Sequence, residues 1–286
     1  MKRHITSRKK GLILDNSSIG LFDSGLGGLS VVLEVNQLLP NENIEYFADH
    51  ARQPYGDGSR KKKEIESFVI EIINYLLSKD IKACIIGCNT ATAAGLEKAQ
   101  EIFDIPIIGV IEPGARAATE QTLSGRIGLI ATEFTVKSQE HIKKIKQFSP
   151  EAKVFANPCP EFFRLVEYGR LETKEAYQIA QRYLEPIKKE NVDTLILGCT
   201  HYPFLSKVIK DIMGPQVKLI NPAYSTALEM KGILEEKNLL RKGQIQRVEH
   251  YYTTSDPEFV TKIANLILGY RKCQFAKVSL ANFNRS

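Results

Sequence analysis

Two stretches of the chain end in the same way. Ile81-Lys-Ala-Cys-Ile-Ile-Gly-Cys88-Asn-Thr90 and Val192-Asp-Thr-Leu-Ile-Leu-Gly-Cys199-Thr-His201 are each a short apolar run that stops at Gly-Cys and then offers small polar side chains and backbone donors. A short, continuous apolar run is the pattern of a strand buried on both faces, as in a parallel sheet covered by helices. The two motifs stand 111 residues apart, about the length of one small domain. The chain therefore reads as two similar parallel-sheet α/β domains, each contributing a cysteine at the carboxyl end of a strand. In open α/β sheets the ligand crevice lies at those ends, so two of them facing each other across the domain interface make one closed active site.

The rest of the chain fits this frame. Apolar runs at 18–22, 44–48, 105–110, 127–131, 153–156, 217–220 and 250–254 read as further strands, alternating with amphipathic stretches. The helical period is clearest where Ile65, Phe68, Val69, Ile72, Ile73, Leu76 and Leu77 fall three and four apart. A length of 286 residues suffices for two domains. We expect a polar N-terminal extension (1–17), a first α/β domain (18–111) completed by the C-terminal segment (223–286), and a second α/β domain (112–222) inserted between them.

The formal charge of +6 is concentrated at Lys2, Arg3, Arg8, Lys9 and Lys10 and in the run Arg60 to Lys63. No aromatic interleaving or nucleic-acid motif accompanies it, so it reads as solvated charge that can steer anionic substrates, with no nucleic acid required. No stretch has the ~18 apolar residues of a membrane span or a signal-peptide core, which places the protein in the cytoplasm. Five cysteines form no dense disulfide framework and read as free thiols.

Phe22-Asp23-Ser24-Gly25-Leu26-Gly27-Gly28-Leu29-Ser30 follows a short strand and opens a helix. Its glycines expose amides at a helix N-terminus, which suits a small carboxylate or amino group. The Rossmann and phosphate-loop spacings are absent, leaving a plain structural turn as the alternative. No C-x-x-C pair exists, and Cys84 and Cys88 lie too far apart on an extended strand for chelation, so no metal is expected. Cys84 and Cys273 read as buried packing and Cys159 as a loop residue. Cys88 and Cys199 differ, because each ends a strand where helix-terminal amides favour a thiolate. A Cys199 nucleophile with His201 as its base would leave the twin Cys88 idle. Two similar thiols instead suit a reaction with mirror-image halves such as racemisation, in which one group removes an α-proton and another delivers one to the opposite face.

Together with Pro54-Tyr-Gly56, Gly87-Cys-Asn-Thr-Ala91, Gly109-Val-Ile-Glu-Pro-Gly114 and Gly198-Cys-Thr-His-Tyr-Pro203, that loop resembles the glutamate racemases of bacterial cell-wall synthesis, from about Ile19 onward. The resemblance implies a cofactor-independent, two-base reaction on glutamate in which Asp23 assists Cys88 while Glu167 and His201 assist Cys199. It implies that Ser24, Pro54, Tyr55, Gly56, Asn89, Thr90, Thr132, Thr135 and Thr200 hold the substrate with Asp23, the two cysteines and His201. It also implies frequent homodimers, and in some members activation by a nucleotide-linked cell-wall precursor, for which the basic lead is a candidate; a disordered tail is the alternative.

The chain departs from the family pattern at Ala48-Asp49-His50, where Gly-Asp-Ser or Gly-Asp-Thr is usual, at Phe163-Arg164 and at Asn221-Pro222. Arg164 either lowers the proton affinity of Glu167 or points to solvent. A racemase of aspartate or another acidic amino acid, and a silent amino-acid sensor, are the competing functions; turnover on the two acids and exchange of the α-proton separate them.

Overall fold

The computed structural model describes residues 16–243, 246–269 and 272–280. Its strands are β1 (Ser18–Asp23), β2 (Ile44–Ala48), β3 (Ile81–Ile86), β4 (Ile107–Gly109), β5 (Arg126–Ala131), β6 (Lys153–Pro158), β7 (Thr194–Gly198), β8 (Lys218–Ile220), β9 (Glu249–Thr253) and β10 (Phe275–Lys277). Helices α1 (Leu29–Leu38), α2 (Lys62–Leu77), α3 (Asn89–Ile102) and α4 (Ile111–Gln121) punctuate the first strands. They are followed by α5 (Glu133–Ser138), α6 (Glu140–Phe148), α7 (Phe162–Glu167), α8 (Lys174–Lys189), α9 (Ser206–Met213), α10 (Pro222–Glu236) and α11 (Pro257–Leu268).

The strands form two sheets, ordered β10-β9-β2-β1-β3-β4 and β6-β5-β7-β8, with every described pairing parallel. The order β2-β1-β3-β4 recurs as β6-β5-β7-β8. The doubled Gly-Cys motif is thus the local trace of a doubled four-strand unit, and Cys88 and Cys199 follow equivalent strands, β3 and β7. In each unit the first strand is flanked by the second and third, so the crossovers leave it on opposite sides and open a crevice at its carboxyl end.

Alternation along the strands sends residues to the two faces of each sheet. Ile19 and Leu21 of β1 pack with Ala83 and Ile85 of β3 on one face, while Phe22 lies with Cys84 and Ile86 on the other. In the second sheet Ile127 and Leu129 oppose Ile130, Leu195 and Leu197 in the same way. Each fully buried aliphatic or aromatic side chain contributes about 1.5–3 kcal/mol, so the strands that carry the thiols are anchored by apolar contact on both faces. Cys84 is wholly buried in one of these cores, as its packing role requires.

Two departures from the sequence reading have physical causes. β10 escapes it because three residues, of which only Phe275 is buried, are too few to show a period. Asn221-Pro222 is a helix start: the Asn221 side chain accepts a hydrogen bond from the Ala223 amide (3.1 Å), and Pro222 occupies the first turn of α10, where its missing N–H costs nothing. The proposed N-terminal extension falls almost wholly on residues outside those described, as does any activator site on it.

Candidate active site

The carboxyl ends of β1, β3, β5 and β7 converge on one cavity of about 50 Å³, lined by both thiols. Its other walls include Ser24, Pro54, Tyr55, Gly56, Asn89, Thr90, Thr132, Thr200 and His201. A single water needs about 10–15 Å³ by a comparable measure, so the space suits a small molecule and excludes a dinucleotide.

Cys88 is the N-cap of α3, its sulfur accepting from the Ala91 amide at 3.5 Å and lying 3.8 Å from the Ser24 hydroxyl. The helix terminus was expected to favour thiolate here. Instead, burial pushes this thiol up to about 12, with the charge of Asp23 adding to the effect and the Ala91 and Ser24 hydrogen bonds opposing it. Loss of solvent outweighs one helix end, and Cys88 is held as the protonated thiol. Asp23 does not line the cavity: one carboxylate oxygen accepts from the Gly25 amide (2.8 Å) and the Ser24 hydroxyl (3.3 Å), the other from Thr200 of the opposite half (2.6 Å). Burial raises its proton affinity against the opposing influence of His201, Thr200 and Gly25.

Cys199 has a different neighbourhood. Its sulfur lies 3.6 Å from Nδ1 of His201, whose Nε2 is 2.7 Å from Oε1 of Glu167. Burial by itself would strip the proton from His201, but its hydrogen bonds with Cys199 and Glu167 and their charges prevail and raise it well above 6.5. Burial likewise opposes ionisation of Glu167, yet hydrogen bonds from His201 and His50 and their charges hold this carboxylate well below the usual range. Two buried carboxylates are thus driven in opposite directions, the arrangement that separates acid from base roles in an enzyme. Gly27 makes the contact between halves possible, since a Cβ there would lie 2.5 Å from Nδ1 of His201.

Threonines from both halves meet at the next wall. Thr90 Oγ1 lies 3.0 Å from that of Thr132 and 3.1 Å from that of Thr135, and Thr132 also caps α5. Thr135 sits behind the cavity. The Tyr55 hydroxyl is turned away from it to Asp49, so this residue presents its ring and backbone. Asn89 is 2 % exposed, and neither amide atom has a protein hydrogen-bond partner. A buried amide left that way costs free energy unless a ligand or solvent satisfies it. With Nδ2 donating to a substrate carboxylate and Oδ1 accepting from the substrate ammonium, Asn89→Ala is expected to raise KM about ten- to hundredfold. Steady-state kinetics in both directions check this, and an unchanged KM would remove Asn89 from the binding set.

Sequence reasoning missed His50, whose Nε2 is 3.3 Å from Oε2 of Glu167, and the wall residues Gln53, Asp57, Pro160 and Phe163. The ring of Phe163 stands edge-on to His201 with centroids 6.3 Å apart. The departure at position 50 was the available signal for the first of these; Phe163 lay in a noted departure whose consequence was sought in Arg164. Arg164 is exposed, its guanidinium 6.0 Å from the Phe163 ring, and the forces lowering Glu167 come from the two histidines. Among the described residues no group of three or more His, Cys, Asp or Glu is placed to hold a metal, and no helix is long and apolar enough to cross a membrane.

Residues 26–229 match the Asp/Glu/Hydantoin racemase family. The glutamate racemase of Geobacter metallireducens is 41% identical over 263 residues, covering 92% of this chain and 97% of that protein. The glutamate racemase isoform RacE1 of Bacillus anthracis superposes with a TM-score of 0.88 at 40% identity, over 93% of this chain and 98% of the other. The glutamate racemase of Francisella tularensis, solved in complex with D-glutamate, gives 0.86 at 34% identity over 94% and 100%.

Proposed function

Since the chain belongs to the Asp/Glu/Hydantoin racemase family and within it to the glutamate racemases, we propose that it interconverts L- and D-glutamate through Cys88 and Cys199, without a cofactor. The observation that carries this reading is that the two thiols end equivalent strands of the two halves and line one cavity.

In one direction a thiolate sulfur takes the α-proton from one face of glutamate, forming an S–H bond and leaving the electron pair on the α-carbon. The other thiol gives its proton to the opposite face and becomes the thiolate. The roles exchange for the reverse reaction. Asp23, reached from Cys88 through the Ser24 hydroxyl, governs one sulfur, and the His201–Glu167 pair governs the other. The unpartnered Asn89 amide, the threonine hydroxyls and the amides near Ser24 and Gly56 hold the carboxylates and ammonium. Their dipoles are fixed by the fold around a small cavity, where they stabilise developing charge without reorganising. A Cys–His–Glu array alone can also activate a nucleophile, but Cys88 would then have no role.

For the domain division we propose residues 112–222 as the inserted unit, because β5 to β8 form a sheet of their own. Supply of D-glutamate for peptidoglycan in the cytoplasm is the biological role the resemblance supports.

The deciding experiment tracks optical rotation and the α-proton for each enantiomer of glutamate in heavy water with nothing added. Rotation should decay from both sides as deuterium enters the α-carbon. A folded protein that changes neither enantiomer would reject the activity. Racemisation without deuterium uptake would reject the proton-transfer route.

A further inference from the structure

His50 joins the Cys199 side of the site through Glu167. It lies on the 3₁₀ turn His50–Arg52 that comes after β2. Its side chain is 8% exposed, with Nε2 3.3 Å from Oε2 of Glu167 and Nδ1 3.4 Å from the Thr253 hydroxyl on β9. Glu167 ends α7 in the other half of the molecule. Its Oε1 is shared between His201 and the Leu26 amide (3.1 Å), and His50 is the partner given to Oε2. The titratable groups that bear on this carboxylate are His201 and His50, with Asp23 coupled to it by charge.

We infer that His50 is a positioning residue: it grips the outer oxygen of Glu167 from across the domain interface and so keeps the inner oxygen on His201, the partner of Cys199. The inference rests on the two-thiol reading of the site. A carboxylate can rotate about its last bonds, and an aim of one oxygen is only as good as the hold on the other. Thr253 fixes the imidazole in turn, and β9 pairs with β2 in parallel, so the turn that carries His50 is braced by the sheet.

The readout is the proton affinity of His201, which its bonds to Cys199 and Glu167 hold above the ordinary value. His50→Leu should free Glu167 and let burial pull His201 down. The alkaline limb of the kcat/KM profile should then move about one pH unit toward neutral, as should the ring-nitrogen titration of His201 followed by NMR, on the scale of one lost hydrogen bond to a charged group. Glu167→Gln should move the titration the same way, and adding His50→Leu to it should shift it no further. His50→Gln, which can place an amide donor near the same oxygen, should restore the limb.

Wild-type titration behaviour in His50→Leu overturns the inference, and so does a shift in His50→Gln equal to that in His50→Leu. If His50→Leu does not fold, a slowly exchanging Nε2–H resonance of His50 in the wild type, lost in Glu167→Gln, decides; its absence overturns the inference. The NMR titration needs no turnover, so a wild-type protein that fails to racemise glutamate rejects the activity without touching this result.

Discussion

Replacement of either Cys88 or Cys199 by alanine should lower racemisation of glutamate by about a thousandfold or more, since each variant loses one of two groups that act in the same turnover and general acid–base groups each supply about 10²–10⁴. The two losses should be of similar size, because a proton removed from one face is useless unless another is delivered to the opposite face. The combined variant should be scarcely worse than either, as expected of groups that work as a unit. Both side chains are small and sit just beyond the ends of buried strands, so thermal unfolding should report a modest change and show that the scaffold stands. Activity of either variant within about tenfold of wild type would be too small a loss for a general acid–base group and would move that residue out of the chemistry. The environments differ: Cys88 is held protonated by burial and the Asp23 charge, whereas Cys199 faces His201 and, behind it, Glu167. The pH dependence of the residual partial reactions, such as α-proton exchange, should therefore differ between the two single variants even where the overall losses agree.

The next largest effect is expected at Gly56. A Cβ there would lie 2.4 Å from Thr132 Oγ1, 2.6 Å from its Cβ and 2.8 Å from its Cγ2. Rotation of the threonine removes its oxygen and methyl but not its Cβ, which is held at the N-cap of α5, so the two halves must part. The Gly56 carbonyl also accepts the Phe134 amide at 3.0 Å, and separation breaks that bond. Gly56→Ala should cost about a hundredfold in kcat/KM, the scale of an ångström of misplacement at a reacting centre. The backbone at this position is not in the left-handed region, so alanine adds no backbone strain, and the loss of stability should be confined to the clash and the broken hydrogen bond, about 1–3 kcal/mol. Kinetics of Gly56→Ala with its melting curve test this; nearly normal kcat/KM would mean that the halves need not approach this closely for turnover.

Much of the architecture was written locally. Runs such as Ile19 to Phe22 and Leu195 to Leu197 read as strands buried on both faces, and such strands need helices on either side. The repeated Gly-Cys ending announced two related units because the residues just beyond the carboxyl end of a parallel strand line the crevice there. The third strand of each unit indeed bears the thiol, and the order β2-β1-β3-β4 against β6-β5-β7-β8 explains why the motifs match. Periodicity also marked α2, whose apolar face recurs every three to four residues.

Other features belong to no local stretch. Glu167, on sequence an ordinary charge near the end of a short helix, becomes part of the site only because α7 carries it to Leu26 and His50 of the other half. Asp23 meets Thr200 across 177 positions of chain, and the Thr90, Thr132 and Thr135 hydroxyls meet only when the halves are apposed. The proton affinity of Cys88 is another case: the helix end that lowers it is visible in sequence, whereas the burial and the Asp23 charge that raise it are sums over the whole fold. The sequence by itself determined most of the elements, their doubling and the two thiols, since these depend on the polarity and spacing of neighbouring residues. Only the tertiary structure decided that the proton affinity of Glu167 is lowered while those of Asp23 and His201 are raised, and how closely the halves meet, because desolvation and charge act through space rather than along the chain.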